Sequence, residues 1–177
     1  MPTSRLTSFV STAAIAAGLS FSCPLQAQKA PPQRSDPDGP GPKTGLTIAL
    51  AVGAGRYDFT GQGVCLQIPE GTLYDAPAVF YSVRQTSDKQ RLNMTLYRLK
   101  KEGDMLTMNL TLGKDTHSVN TVKVGGTGAI LGSGTATLEQ IGKGGTLTID
   151  AADPKGVKIT GTIKCDAFNL PAESNGL

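Results

Sequence analysis

The chain has 177 residues, a formal net charge of +3, 38% hydrophobic and 18% charged side chains, 22 Gly, 11 Pro and no Trp. That is apolar enough to build a core and too weakly basic to argue for a nucleic-acid partner. One His and three Cys exclude an all-histidine metal site and a four-cysteine zinc ribbon.

The first 27 residues read as an export signal. Arg5 and the amino terminus make a short positive region. Phe9 to Phe21 is then an uncharged, mostly apolar run of 13 residues. A bilayer-spanning helix needs about 20, so the run fits the apolar region of a secretory signal better than a membrane span. Cys23-Pro24-Leu25-Gln26-Ala27 follows and places cleavage after Ala27. The alternative is a lipoprotein signal that lipidates Cys23, which Phe21 before it and Pro24 after it disfavour. The expected destination is the periplasm or the exterior. Cleavage removes Arg5 alone among the charged side chains, which leaves a mature chain near +2 with no further apolar span.

Gln28 to Lys43 holds five Pro and two Gly in sixteen residues. It lacks the apolar surface needed to offset ordering entropy, so a disordered tether is expected over 28–43. A β-domain is expected over 44–170 and a short flexible tail over 171–177.

From Gly45 the apolar period is 2 rather than 3.6. Leu92, Met94 and Leu96 alternate with Asn93, Thr95 and Tyr97, and Leu106, Met108 and Leu110 alternate with Thr107, Asn109 and Thr111. This is the pattern of antiparallel strands with one wet face. Strand segments are predicted at 46–51, 56–60, 63–68, 77–85, 91–99, 105–112, 117–124, 134–140, 145–151 and 157–166, merging into eight or nine. Lys101-Glu102-Gly103-Asp104, Gly142-Lys143-Gly144-Gly145 and Asp153-Pro154-Lys155-Gly156 supply turn chemistry between them. Pro69 to Asp75 has room for a single helical turn. The predicted fold class is all-β: an antiparallel β-sandwich or small barrel of eight to nine short strands with one disulfide.

That disulfide joins Cys65 and Cys165, the thiols left after cleavage, because an even count in an oxidising compartment normally pairs. Their separation of 100 residues argues against a redox pair, whose thiols usually sit close together as C-x-x-C.

The chemical motifs are mostly negative. Gly125 to Gly134 reads GGTGAILGSG, but strand-like residues follow where a phosphate-binding loop needs a helix. His117 is the one imidazole, with Asp115 and Ser118 beside it, yet no G-x-S-x-G elbow is present. An exposed position at a strand edge is expected for it. Asp150 and Asp153 lack an oxygen-rich calcium loop. No catalytic residue, metal site or cofactor is therefore predicted.

The predicted binding surface is Tyr81, Tyr97, Arg98, Lys100 and Lys101. Phe80 and Tyr81 point to opposite faces of one strand, so one of the two is expected outside. Arg98, Lys100 and Lys101 form a basic cluster at a hairpin tip.

Two stretches carry a family likeness. Phe59-Thr60-Gly61-Gln62-Gly63-Val64-Cys65 is one. The other comprises Gly132-Ser133-Gly134-Thr135-Ala136-Thr137, Gly144-Gly145-Thr146-Leu147-Thr148-Ile149 and Ile159-Thr160-Gly161-Thr162 with Cys165. Together they resemble the mycobacterial nineteen-kilodalton lipoprotein antigen family over about half of the mature chain. The segment Leu73 to Thr111 is longer than that family's pattern, and no good lipid-attachment signal surrounds Cys23. The resemblance implies a small exported β-domain with one disulfide and no catalytic residues to carry over.

The function expected from all this is a non-enzymatic exported protein that binds a protein, glycan or lipid partner at the bacterial envelope. An inhibitor or immunity protein that blocks an enzyme with a hairpin loop is the alternative, and a hydrolase is the third reading.

Overall fold

The computed structural model describes residues 41–171. The expectations for 1–27, for 28–40 and for 172–177 lie outside the described residues. Among the described residues nine strands make one sheet: β1 (Lys43–Val52), β2 (Gly55–Leu73), β3 (Ala76–Thr86), β4 (Gln90–Leu99), β5 (Gly103–Leu112), β6 (Asp115–Asn120), β7 (Ser133–Ile141), β8 (Gly144–Ala152) and β9 (Lys158–Cys165). The order is β6-β5-β4-β3-β2-β1-β9-β8-β7, and every laddered pair is antiparallel. The first and last strands of the chain are therefore neighbours, and the sheet curls into a nearly closed barrel rather than a sandwich.

Parity explains where closure stops. An odd number of strands cannot close with every neighbour antiparallel. Stepping through the ladders from β1 in both directions leaves β6 and β7 running the same way. The segment 121–132 must return from the end of β6 to the start of β7, antiparallel to both. It stitches to the end of β6 through Asn120 and Leu131, which exchange backbone hydrogen bonds of 2.7 and 2.8 Å. The Asn120 side chain accepts from the Val122 N–H at 3.0 Å and donates to the Ala129 carbonyl at 2.9 Å. This turning point ends β6 at Asn120, where the sequence pattern extended the strand to 124. The glycine-rich stretch serves the return. Val124 and Thr127 pair across Gly125 and Gly126, both at positive φ (55° and 85°), a tight turn that disfavours side chains.

Three further boundaries differ from expectation. The segments 56–60 and 63–68 merge into one 19-residue β2, because Gly61 and Gly63 stay in register with Leu46 and Thr44 of β1. Pro69 to Asp75 contains no helical turn. Strand β2 continues to Leu73 through a bulge in which Pro69 and Glu70 both oppose Val79. A proline has no N–H to give a ladder, and a bulge tolerates that. Lys43, expected in the tether, already pairs with Val64.

Alternation fills the interior. Leu46, Ile48 and Leu50 of β1, Leu92, Met94 and Leu96 of β4, Leu106, Met108 and Leu110 of β5, and Leu147 and Ile149 of β8 are each 2% exposed or less. These side chains form one cluster that also includes Tyr57, Tyr81, Val83, Ile159 and Ile163. The barrel is thus packed by its own side chains. A barrel of about eight strands has just the width for that. Inside, the Tyr57 hydroxyl donates to Oε1 of Gln85, and both residues are buried. Burial pushes the Tyr57 phenol up to about 12.

Cys65 and Cys165 are bonded and buried at 0% and 1% exposure. The bridge ties β2 to the end of β9 and fixes the start of the segment that follows. Asp166 donates its N–H to Gly45, Phe168 to Lys143 and Asn169 to Cys65, and the Gln67 N–H donates to Asn169. Residues 166–169 are thereby laid across one end of the barrel. There Phe168 packs edge-on against Tyr81 at 5.2 Å and joins the core cluster.

Candidate binding surface

The end covered by Phe168 also carries the β2–β3 and β4–β5 turns. Inward parity along β4 runs Leu92, Met94, Leu96, Arg98. At the strand's end the Arg98 guanidinium emerges 5.7 Å above the Tyr81 ring. It grips Asp104 with Nε 3.1 Å from Oδ1 and Nη2 3.0 Å from Oδ2. The Asp104 carboxylate raises the Arg98 pKa, chiefly through these hydrogen bonds. Both partners are partly exposed, so the pair adds little stability, at most about 1 kcal/mol. Its effect is to neutralise Arg98.

Tyr81 faces inward at 4% exposure, with its hydroxyl 3.3 Å from Oε1 of Gln140. The half-exposed member of the Phe80–Tyr81 pair is Phe80. Tyr97 shares the outer face with it, ring to ring at 5.1 Å and 71°. These two rings, with Leu73, Ala76 and Met105, pack on a small outer cluster of Ala78, Leu99 and Val124. Lys100 and Lys101 lie exposed in the turn between β4 and β5. The five predicted surface residues thus gather at one end of the barrel, with Tyr81 beneath the surface and Tyr97, Arg98, Lys100 and Lys101 on it.

Beside Phe168 the same end holds a cleft of about 400 Å³, lined by Gln67, Gln140, Lys143, Phe168, Asn169 and the 63%-exposed Leu170. Sequence reasoning passed over these residues, because they meet only when the segment after β9 crosses the barrel end.

The tip of the β2–β3 hairpin was also missed as a site. Leu73 pairs with Ala76, so Tyr74 and Asp75 form a two-residue loop. Both have positive φ, 47° and 67°. That loop geometry selects Asn or Gly, and a bulky tyrosine in it is strained. Tyr74 is 51% exposed at this position. The signal for the loop in sequence is only Asp75 between two apolar runs.

The opposite end contains the one histidine. His117 pairs with Leu110 of β5 and shares its inward face, so its side chain is 13% exposed, not open at an edge as expected. Its Nδ1 lies 2.9 Å from Oδ2 of Asp153, in the turn between β8 and β9. Oδ1 of the same carboxylate accepts from the Lys155 and Val157 N–H groups at 2.8 and 2.9 Å. The His117 hydrogen bond, and then the two backbone donors, hold the Asp153 carboxyl below the usual carboxylate range against the opposing effect of its burial. The contact spans from β6 to the far side of the β6/β7 seam, where no ladder does. Ser118 points the other way and donates to Asn109 at 2.7 Å. His117 and its sequence neighbours Asp115 and Ser118 therefore do not converge, and the aspartate that orients the ring is Asp153. Among the described residues, no group of three or more His, Cys, Asp or Glu side chains is placed to hold a metal ion. No helix among them is long and apolar enough to cross a membrane.

Comparison of the chain with protein-family models, with curated proteins and with solved structures finds no match.

Proposed function

We propose that the chain is an exported, non-enzymatic binding protein that engages a macromolecular partner at the bacterial envelope through the end of the barrel bearing Lys100, Lys101 and the β2–β3 hairpin. The packed interior carries this reading. Side chains from all nine strands fill the space where a ligand-storing barrel keeps a cavity, so recognition falls to the outside. The His117–Asp153 pair supports it from the other side. Its geometry ties a seam and presents no nucleophile within the contacts it makes. Export rests on the amino-terminal signal and agrees with the buried disulfide. The likeness to the nineteen-kilodalton antigen family points to the same kind of molecule.

The test is chemical cross-linking in the native envelope fraction, with the cross-linked partner then purified and titrated against the mature protein. A saturable complex of fixed stoichiometry supports the proposal. A substrate turned over by the purified protein, with turnover lost in His117→Ala, overturns it in favour of a hydrolase.

The alternative reading, an enzyme inhibitor, is favoured by the tight two-residue β2–β3 loop with Phe80 packed over Gly71. Stoichiometric inhibition of the purified partner's own activity would select it.

A further inference from the structure

We infer that Met105 is an oxidation site that controls the docking of the return segment 121–132: its thioether takes an oxygen atom from a peroxide, and the sulfoxide releases residues 123–127 from the barrel wall. The inference goes beyond the binding reading above and does not depend on it.

Accessibility singles the residue out. Met94 and Met108 face the packed interior at 1% and 0% exposure. Met105 stands one position off the inward register of β5, which Leu106 and Met108 follow. Its side chain therefore lies on the outer wall opposite Tyr97 and is partly exposed. A thioether sealed in the core is screened from an oxidant in solution, whereas one on the wall meets it.

What the sulfur holds makes the site consequential. The start of the return segment is fixed by Thr121, whose N–H donates to the Leu106 carbonyl and whose hydroxyl accepts from the Leu106 N–H, both at 2.9 Å. Val124 and Thr127 then satisfy each other across the turn. Among the described residues, a single hydrogen bond joins 123–127 to a strand: the Lys123 N–H donates to Sδ of Met105 at 3.4 Å. Apolar contact does the rest. Val124 is 5% exposed in the outer cluster with Ala78 and Leu99, and Met105 packs against that same cluster.

The step balances without a cofactor. A sulfur lone pair attacks one oxygen of hydrogen peroxide and the O–O bond breaks. The proton on the transferred oxygen passes to the departing hydroxide, which leaves as water. Sulfur loses two electrons and the peroxide gains them. A sulfoxide reductase reverses the change with two thiols, which become a disulfide while the oxygen leaves as water.

Either sulfoxide epimer disturbs the dock. An oxygen bonded to sulfur along the line to Lys123 would fall far inside the usual N–H···O separation of about 2.7–3.2 Å, so the segment has to retreat. An oxygen on the other lone pair sets a strong dipole against the apolar cluster on which the side chain packs.

The experiment treats the purified full chain, its disulfide intact, with hydrogen peroxide. Peptide mass spectrometry maps the oxidation, and amide exchange is read before and after. Met105 should oxidise at least about tenfold faster than Met94 and Met108, and exchange at Lys123, Val124 and Thr127 should quicken about tenfold while the β1–β9 ladder keeps its protection. Met105→Leu keeps the volume and removes the sulfur, so peroxide should leave its exchange unchanged. Similar oxidation rates at the three methionines overturn the site. Rapid oxidation at 105 with unchanged exchange over 123–127 overturns its control of the segment. Protection lost across the β1–β9 ladder, or a peroxide response that persists in Met105→Leu, overturns it as well.

Discussion

Removing the Cys65–Cys165 bridge gives the largest effect the fold predicts for a change of two atoms. The bond closes a loop of 100 residues. In the chain-entropy model, a loop of that length withdraws about 4.7 kcal/mol of freedom from the unfolded state at 25 °C. A domain of about 130 residues has an unfolding entropy near 0.27 kcal/mol/K, so the expected fall in melting temperature is about 17 °C. The native state adds a local effect. Cys165 fixes the strand end from which residues 166–169 cross the barrel, so their hydrogen bonds to Gly45, Lys143 and Cys65 should fray first. The assay is calorimetry of the oxidised protein and of Cys65→Ala/Cys165→Ala, with amide exchange read at Phe168 and Asn169. A fall of less than about 4 °C with unchanged protection there would refute the reasoning.

Four further outcomes follow from named contacts. Leu96→Ala, at 0% exposure, should cost about 3 kcal/mol, read as a lower denaturant midpoint at constant slope. Gly132→Ala should melt well below Gly103→Ala: both sit at positive φ, but a Cβ at 132 would lie 2.3 Å from the Ala152 carbonyl oxygen, while 103 opens to solvent. The Asp153 carboxyl is held below its ordinary 3.8, so its contribution is present above that pH and is lost as pH falls through the lower folded value; the stability gap between wild type and Asp153→Asn should be wide at pH 7 and narrower at pH 3. Because the Tyr57 phenol is pushed up to about 12, one of the four tyrosines should ionise late in an ultraviolet titration, stability should decline as pH rises past the ordinary value of 10, and Tyr57→Phe should remove the late step.

The strands were legible because a barrel wall has one dry face, and a period of 2 reports that directly. Leu92-Met94-Leu96 and Leu106-Met108-Leu110 are inward in the structure as the alternation required. The disulfide was legible by counting. Closure was not, since it depends on β1 meeting β9, a contact between sequence ends that no local pattern encodes. The run Pro69 to Asp75 misled because proline in a strand is tolerated at a bulge, which only the register with Val79 reveals. His117 read as exposed because its parity was judged from its polarity; Leu110 opposite it decides the face, and Asp153 makes the burial tolerable. Of the candidate surface, the lysines were visible as charge. Tyr81 went inward because both Phe80 and Tyr81 suit either face. The strained position of Tyr74 was not legible, because strain is a property of the backbone.

The central proposal is that this barrel binds a macromolecular partner through the end that bears Lys100, Lys101 and the β2–β3 hairpin. The most direct measurement is the dissociation constant of the purified partner for wild type and the Lys100→Glu/Lys101→Glu variant, taken alongside their melting curves. The variant should bind at least about tenfold more weakly at an unchanged melting temperature, because both lysines are exposed. Equal affinity in the two proteins would contradict it.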